Sequence, residues 1–199
     1  MLGLNTSRGN VDAGENGLSA IPGRVEEARS AIDQAILYAT KIGAKNIHVM
    51  AGYAEGKEAH RTFVANLRYA CEASAASGIT ILIEPLNHYD APGYFLSTTG
   101  QAVDIIEEVA AEKIKLMFDC YHVQLIEGDL SNRFERLMSK IGHIQFASVP
   151  DRGPPDRGEI NYAHLFAQVR NLGYTQPLGA EYKPVGPTEH SLDWMKHFR

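Results

Sequence analysis

Short apolar segments rich in β-branched residues recur along the chain at intervals of roughly 30 residues, the usual length of one strand–helix–strand unit. Both alternating positions of each segment are apolar, so the pattern predicts strands that are buried on both faces. The clear predicted strands span residues 47–50, 79–83, 114–118, 144–147 and 178–180, with a further candidate at residues 1–5.

Amphipathic helical patterns occupy the intervals between these strands. The clearest spans residues 24–42, where apolar side chains recur every three or four positions and Gly43 provides a stop signal. Thr98 or Thr99 would cap a helix over residues 99–110. The remaining predicted helices span residues 58–77, 130–140, 162–171 and 191 onward, with further stop signals at Gly78 and Gly173.

Buried strands that alternate with helices predict the α/β class, with a parallel sheet covered by helices. No linker, low-complexity tract or change of composition divides the sequence, so it is interpreted as a single domain over residues 1–199. Residues 8–23, which are rich in glycine, aspartate and asparagine, are predicted to form a long loop after the first strand candidate.

The composition of the chain limits the kinds of molecule that the protein is expected to bind. The chain has 199 residues, of which 44% are hydrophobic and 22% are charged, with a formal net charge of −5. It lacks the clustered basic face of a nucleic-acid-binding protein, and no apolar run is long enough to cross a membrane. Two widely spaced cysteines and no signal-peptide pattern indicate a cytoplasmic protein with neither a disulfide framework nor a cysteine metal site.

Four consecutive predicted strands end in, or are followed by, an oxygen-bearing side chain: Glu84, Asp119, Gln145 and Glu181. In a parallel barrel the carboxyl ends of all strands lie on one face, so these side chains should converge. Three adjacent carboxylates repel one another unless a cation neutralises them. Oxygen ligands without a thiolate suit Mg²⁺ or Mn²⁺. The simpler interpretation, that each residue caps a helix or faces solvent, fits any single position better than it fits all four.

Five further side chains near these strand ends are candidates for contact with a small molecule. Asn87 would contact it or merely fix a turn, and His122 would bond a ligand hydroxyl or a metal ligand unless it is purely structural. Arg152 would clamp a carboxylate with two hydrogen bonds, or carry a simple loop charge. Glu159 would orient the metal ligands or cap the next helix. His48 would face the site or the core, depending on strand register, and the site is favoured.

The stretches that carry these residues resemble the xylose isomerase-like TIM barrels, and within them most closely the hydroxypyruvate isomerase family. The resemblance runs in order over nearly the whole chain. It implies a (β/α)8 barrel that is incomplete here, with the first two β/α units missing. The matching stretches are LNTSRGNVDAGENGLSAIPGR, IHVMAG, HRTFVANLRYA, ILIEPLN, FDCYHVQLIEGDL, GHIQFASVPDRG, GEINY and GAEYKP.

The resemblance also implies an activity. A metal-dependent isomerase of this family would convert hydroxypyruvate to tartronate semialdehyde (2-hydroxy-3-oxopropanoate) through an enediolate. Glu84, Asp119, Gln145 and Glu181 would hold the metal, and the first and last of these would also transfer the proton. Related ketose 3-epimerases usually carry histidine where Gln145 stands, so the glutamine favours the hydroxypyruvate branch.

Several alternatives stay open at this point. The 2-oxo-tetronate isomerases share the same motifs, and ketose 3-epimerases or dehydratases belong to the same superfamily. Endonuclease IV-type members need a histidine-rich, multi-zinc site and a basic groove, neither of which this sequence has. An incomplete barrel would leave open strand edges, which favour a homo-oligomer or a non-catalytic remnant that binds a ligand or partner. The expected partner is a small hydroxy-oxo acid rather than a nucleic acid or a membrane.

Overall fold

A computed structural model describes residues 1–198, which form two compact units, one over Met1–Met117 and one that starts at Phe118. The strands are β1 (Gly3–Asn5), β2 (Asn46–His48), β3 (Thr80–Ile83), β4 (Ile114–Asp119), β5 (Ile141–Phe146) and β6 (Gly179–Ala180). The α-helices are α1 (Val25–Ile42), α2 (Gly56–Ser74), α3 (Thr99–Val109), α4 (Cys120–Ile126), α5 (Leu130–Leu137) and α6 (Tyr162–Asn171). Short 3-10 helices span Val11–Ala13, Ala75–Ser77 and Met138–Lys140, and a longer one spans Thr188–Phe198.

The first unit is built on parallel strand pairs, β1 with β2, β2 with β3 and β3 with β4. Their register places Leu4, Ile47, Ile81 and Ile114 in one row across the strands. The last three of these side chains are buried. The row confirms burial for β2, β3 and β4, which neighbouring elements enclose, whereas each residue of β1 is intermediate or exposed.

The helices of the first unit follow the predicted pattern. The buried side chains of α1 lie on one face and are mostly alanine, which allows α1 to pack closely on α2, and α2 in turn packs on α3. Gly43 ends α1 in the left-handed conformation, with a φ of 68°. Thr98 caps α3, because its side chain accepts a hydrogen bond from the backbone N–H of Gln101.

The second unit contains the parallel pair β5 and β6 and the helices α4, α5 and α6. Aromatic rings fill its core: Phe146 contacts Tyr162 at a centroid distance of 5.6 Å and Phe166 at 4.9 Å. The buried Tyr162 hydroxyl donates to the carbonyl of Ala147 at 2.6 Å, which fixes α6 beside the end of β5.

Several local predictions need correction. Strand β6 was predicted to be buried on both faces, but it has only two residues, of which Ala180 is exposed. The helix predicted from residue 191 onward is a 3-10 helix that begins at Thr188. Helix α4 was not predicted, because it begins directly after β4 without a loop and so without any turn residue to mark it. Strand β5 begins at Ile141, before the predicted residue 144, because Gly142 and His143 interrupt the apolar pattern although His143 is buried. Within residues 1–198, no helix combines the length and hydropathy needed to cross a bilayer.

Candidate active site

Glu84 follows the last residue of β3 and is buried, with 5% of its surface exposed. His48 pairs with Leu82 in the β2–β3 register, and Glu84 lies two positions beyond Leu82 on the same face of the sheet. The Nδ1 atom of His48 therefore lies 3.5 Å from a carboxylate oxygen of Glu84. Burial lowers the pKa of His48 to about 4, so its imidazole is neutral at pH 7.

Tyr94 adds a polar group on the same side of the first unit. Its hydroxyl accepts a hydrogen bond from the backbone N–H of Ala51 at 2.8 Å. Burial raises the pKa of Tyr94, and the negative charge of Glu84 raises it further. Tyr53 packs edge-on against the Tyr94 ring at a centroid distance of 6.1 Å. The phenol therefore stays neutral and can act only as a hydrogen-bonding group.

Asn87 is completely buried, and its amide is engaged in the turn that follows β3. Its side-chain oxygen accepts hydrogen bonds from the backbone N–H groups of Tyr89 and Asp90, both at 3.0 Å. Its amide nitrogen donates to the Asp90 carboxylate at 3.2 Å. These hydrogen bonds support the alternative that Asn87 fixes the turn. Substrate binding by Asn87 stays a prediction.

In the second unit, the two oxygens of Asp119 have different surroundings. One accepts a hydrogen bond from the backbone N–H of Tyr121 at 2.9 Å and so caps α4. The other lies 3.8 Å from the Nε2 atom of His122 and 3.5 Å from the Nη2 atom of Arg152. Asp119 is 1% exposed and His122 is 2% exposed, so both groups are buried. One oxygen of Asp119 therefore caps α4, and the other is the one that could bind a metal ion.

Arg152 joins two of the predicted metal ligands. The Nη2 atom that approaches Asp119 also donates to a carboxylate oxygen of Glu181 at 2.6 Å. The guanidinium stacks over the ring of Tyr121, 4.8 Å from its centroid. The backbone of Arg152 is left-handed, with a φ of 52°, and its carbonyl accepts from the N–H of Lys183 at 2.7 Å. These contacts hold one positive charge between two carboxylates.

Gln145 lies on β5 opposite Gly179 of β6. Among the residues that the structure describes, the buried side-chain oxygen of Gln145 has no hydrogen-bond partner. A Cβ atom at Gly179 would lie 3.2 Å from the Cγ atom of Gln145 and 2.8 Å from the Nε2 atom of His143, so glycine leaves the space that both side chains use. A buried amide oxygen without a partner in the protein is available to a water molecule or a cation.

Glu159 is exposed, and its carboxylate accepts a hydrogen bond from the side chain of Gln124 at 3.1 Å. The alternative that Glu159 caps the next helix is wrong, because the side chain of Asn161 accepts from the N–H of His164 and caps α6. A role for Glu159 in orienting metal ligands stays a prediction.

The donor set of this region fits a hard divalent cation. Asp119 and Glu181 already share a cationic partner, and the buried oxygen of Gln145 lacks a donor within the described chain. All the predicted ligand atoms are oxygens, which Mg²⁺ and Mn²⁺ prefer. The link between Arg152 and the ligands was not predicted, because these residues are far apart in sequence and no local pattern marks the contact.

Comparison with known proteins gives the family. A family model described as xylose isomerase-like TIM barrel matches residues 3–198. The 2-oxo-tetronate isomerase of Cupriavidus necator is 44% identical over 199 residues, covering 98% of this chain and 76% of that protein. The hydroxypyruvate isomerase of Escherichia coli is 42% identical over 199 residues, covering 98% of this chain and 77% of that protein. A crystal structure described as AP endonuclease, family 2, from Brucella melitensis has a TM-score of 0.96 and 40% identity, and covers 100% of this chain and 78% of that chain.

The chain therefore belongs to the xylose isomerase-like TIM barrel family. The predicted family and the predicted enzyme class, an isomerase, are confirmed, because similar proteins named as isomerases match it over nearly its whole length. The absence of the first two β/α units and the single domain over residues 1–199 stay predictions.

Proposed function

We propose that this protein is a metal-dependent isomerase that interconverts hydroxypyruvate and tartronate semialdehyde. The observation that carries the proposal is the joining of Asp119 and Glu181 by one guanidinium, because it marks a place where two carboxylates require positive charge. The name of the Escherichia coli relative supports this substrate class.

The reaction shifts a carbonyl between neighbouring carbons by moving two protons, one from carbon C3 to carbon C2 and one from the C3 oxygen to the C2 oxygen. A base removes a proton from the carbinol carbon C3 of hydroxypyruvate, which gives an enediolate, and an acid then protonates C2. The C3 oxygen becomes the aldehyde and the C2 oxygen becomes the hydroxyl, so no oxidant or reductant is needed. Glu84 and Glu181 are the proposed pair of proton-transfer residues, since carboxylates held beside adjacent carbons can serve in both directions.

The other side chains would bind and orient the acid. Arg152 is the proposed partner of the substrate carboxylate, because a guanidinium can form two parallel hydrogen bonds to it. His122, beside Asp119, is the proposed partner of a substrate hydroxyl. Glu84, Asp119, Gln145 and Glu181 would hold Mg²⁺ or Mn²⁺. When bound, such a cation would polarise the carbonyl and stabilise the negative charge of the enediolate.

A second candidate is the isomerisation of a 2-oxo-tetronate, and the name of the Cupriavidus necator relative favours it. This reaction would use the same proton transfer and the same carboxylate recognition, with one more carbon to accommodate. The choice depends on the space beyond the reacting carbons. A cytoplasmic setting with a small-molecule partner is part of both proposals.

The test is a substrate panel. Purified protein is incubated with Mn²⁺ or EDTA and with hydroxypyruvate, a 2-oxo-tetronate, D-fructose or a DNA duplex with an abasic site, and products are identified by ¹H NMR or electrophoresis. The DNA is included because of the name of the Brucella melitensis structure. EDTA-sensitive turnover of hydroxypyruvate supports the lead proposal, and faster turnover of the 2-oxo-tetronate supports the second. Turnover of the ketose or the DNA alone, or of no compound, would contradict both.

A further inference from the structure

One nitrogen of Arg152 contacts both Asp119 and Glu181. The Nη2 atom lies 3.5 Å from the first carboxylate and 2.6 Å from the second. The Arg152 side chain is 18% exposed and the Asp119 side chain is fully buried, so water screens their attraction only weakly. Arg152 thus provides the positive charge that allows two acidic groups to lie close together.

The carboxylate oxygens that contact Arg152 belong to the residues proposed as metal ligands. An oxygen that donates its electron pair to a cation is a weaker acceptor for a guanidinium, and two positive groups at one place repel each other. A bound cation and Arg152 in its present position therefore compete for Asp119 and Glu181.

We propose that Arg152 is an internal counter-ion of the metal-free site, and that cation binding releases it to bind the carboxylate of the substrate. This inference rests on the proposed function, because it takes Asp119 and Glu181 as metal ligands. It adds an order of events: the cation binds first, and the acid binds afterwards to the released guanidinium.

The surroundings of Arg152 suit a side chain with a fixed base and a mobile tip. Its backbone is held by the hydrogen bond from Lys183 to its carbonyl. The ring of Tyr121 lies under the guanidinium and offers a surface over which the tip can move without losing its cation–π contact. Release of the guanidinium requires its contacts with the carboxylates of Asp119 and Glu181 to break.

Isothermal titration of the metal-free protein with Mn²⁺ tests the competition. Arg152→Asn is the main variant, because asparagine tolerates the left-handed backbone found at this position. We expect Arg152→Asn to bind Mn²⁺ at least tenfold more tightly than the wild type. Arg152→Lys keeps the charge, so we expect an affinity between the two. Mn²⁺ affinity that is unchanged or weaker in Arg152→Asn would overturn the inference.

Arg157→Asn is the matched control. Arg157 lies in the same loop and pairs with Asp151 at 2.6 Å, but its partner is not a proposed ligand. Its loss should leave Mn²⁺ affinity within twofold of the wild type. A tightening equal to that of Arg152→Asn would contradict the inference, because the effect would then come from loop charge in general.

The order of binding is tested with D-glycerate, an acid that has no carbonyl to isomerise. The wild type should bind D-glycerate at least tenfold more tightly with Mn²⁺ than with EDTA, and Arg152→Asn should lose most of this gain. Equal binding in both buffers would overturn the order of binding. If the wild type binds no Mn²⁺ at all, the proposed function fails, whereas Mn²⁺ binding that is insensitive to Arg152 contradicts this inference alone.

Discussion

The Nδ1 atom of His48 lies 3.5 Å from a carboxylate oxygen of Glu84, with both side chains buried. The imidazole is neutral at pH 7, because burial lowers the pKa of His48 to about 4. A neutral imidazole can orient the side chain of Glu84 through hydrogen bonding without adding a positive charge beside it. His48 therefore has a contact through which it can position Glu84, and its contact with the substrate stays a prediction.

The buried His48 should make the metal-free protein sensitive to acid. The unfolded chain binds a proton at His48 below pH 6.5, whereas the folded chain resists protonation down to about pH 4. In that window the unfolded state binds more protons, so the free energy of unfolding decreases as the pH falls. We expect this residue to account for a loss of about 2 kcal/mol between pH 7.5 and pH 5.

Urea denaturation of His48→Asn in EDTA at several pH values measures this contribution. Asparagine retains a polar group near the position of Nδ1 and does not titrate, so the variant should lose less stability on acidification than the wild type. His60→Asn is the control, since His60 is a partly exposed residue that bonds Glu108 on the surface. Parallel pH profiles for wild type and His48→Asn would contradict the prediction.

Asp119 should have two separable roles, because one of its oxygens caps α4 and the other approaches Arg152. Asp119→Asn keeps an oxygen for the cap and removes the charge, whereas Asp119→Ala removes both. We expect the alanine variant to be about 1 kcal/mol less stable than the asparagine variant in EDTA. Both should bind Mn²⁺ at least tenfold more weakly than the wild type.

Chemical denaturation and calorimetric titration of the same preparations separate these two effects. Equal stability of the two variants would mean that the cap contributes nothing. Wild-type Mn²⁺ affinity in Asp119→Asn would remove Asp119 from the proposed ligands.

Glu84→Gln and Glu181→Gln should each reduce turnover of hydroxypyruvate by about 10²–10⁴-fold, because an amide cannot accept or deliver the proton. The amide oxygen is still able to contact a cation, so Mn²⁺ binding should fall less than turnover does. Initial rates at saturating Mn²⁺, with bound metal measured in parallel, test this. The exposed Glu112→Gln serves as control. Either variant with near-normal turnover would exclude the two-glutamate mechanism.

The sequence was most informative where the signal is local. The spacing of apolar residues in α1 and the stop at Gly43 depend only on near neighbours, and both were predicted. The four strand-end oxygens were found because the same pattern repeats at successive strands. Helix α4 was missed because Asp119 ends a strand and caps a helix at the same time, which leaves no loop between them.

Contacts between segments that are distant along the chain could not be predicted from the sequence. The direction of the His48 side chain depends on the pairing of His48 with Leu82, and no local pattern determines that register. The position of Arg152 depends on its left-handed backbone and on carboxylates from two other segments. The chemistry of Arg152 was predicted, whereas its contacts with Asp119 and Glu181 were not.

Gln145→Leu provides a sharp test of whether the buried oxygen of Gln145 serves a ligand. Within the described chain this oxygen has no hydrogen-bond partner, so replacing the amide by an apolar group of similar size should not reduce stability. We expect the free energy of unfolding in EDTA to stay within about 1 kcal/mol of the wild type or to increase. Mn²⁺ affinity should fall at least tenfold, because one oxygen donor is lost.

Gln101→Leu is the control for Gln145→Leu, because the side-chain amide of Gln101 has hydrogen-bond partners in the protein. The Gln101 amide accepts from the N–H of Ser97 and donates to the carbonyl of Phe95, both at 3.0 Å. Its loss should lower the free energy of unfolding by about 1–3 kcal/mol and leave Mn²⁺ affinity unchanged. Gln101→Leu should therefore lower the free energy of unfolding without changing Mn²⁺ affinity. Gln145→Leu should lower Mn²⁺ affinity without lowering the free energy of unfolding. If Gln145→Leu instead behaves like Gln101→Leu, Gln145 is a structural residue and the proposed ligand set loses its amide.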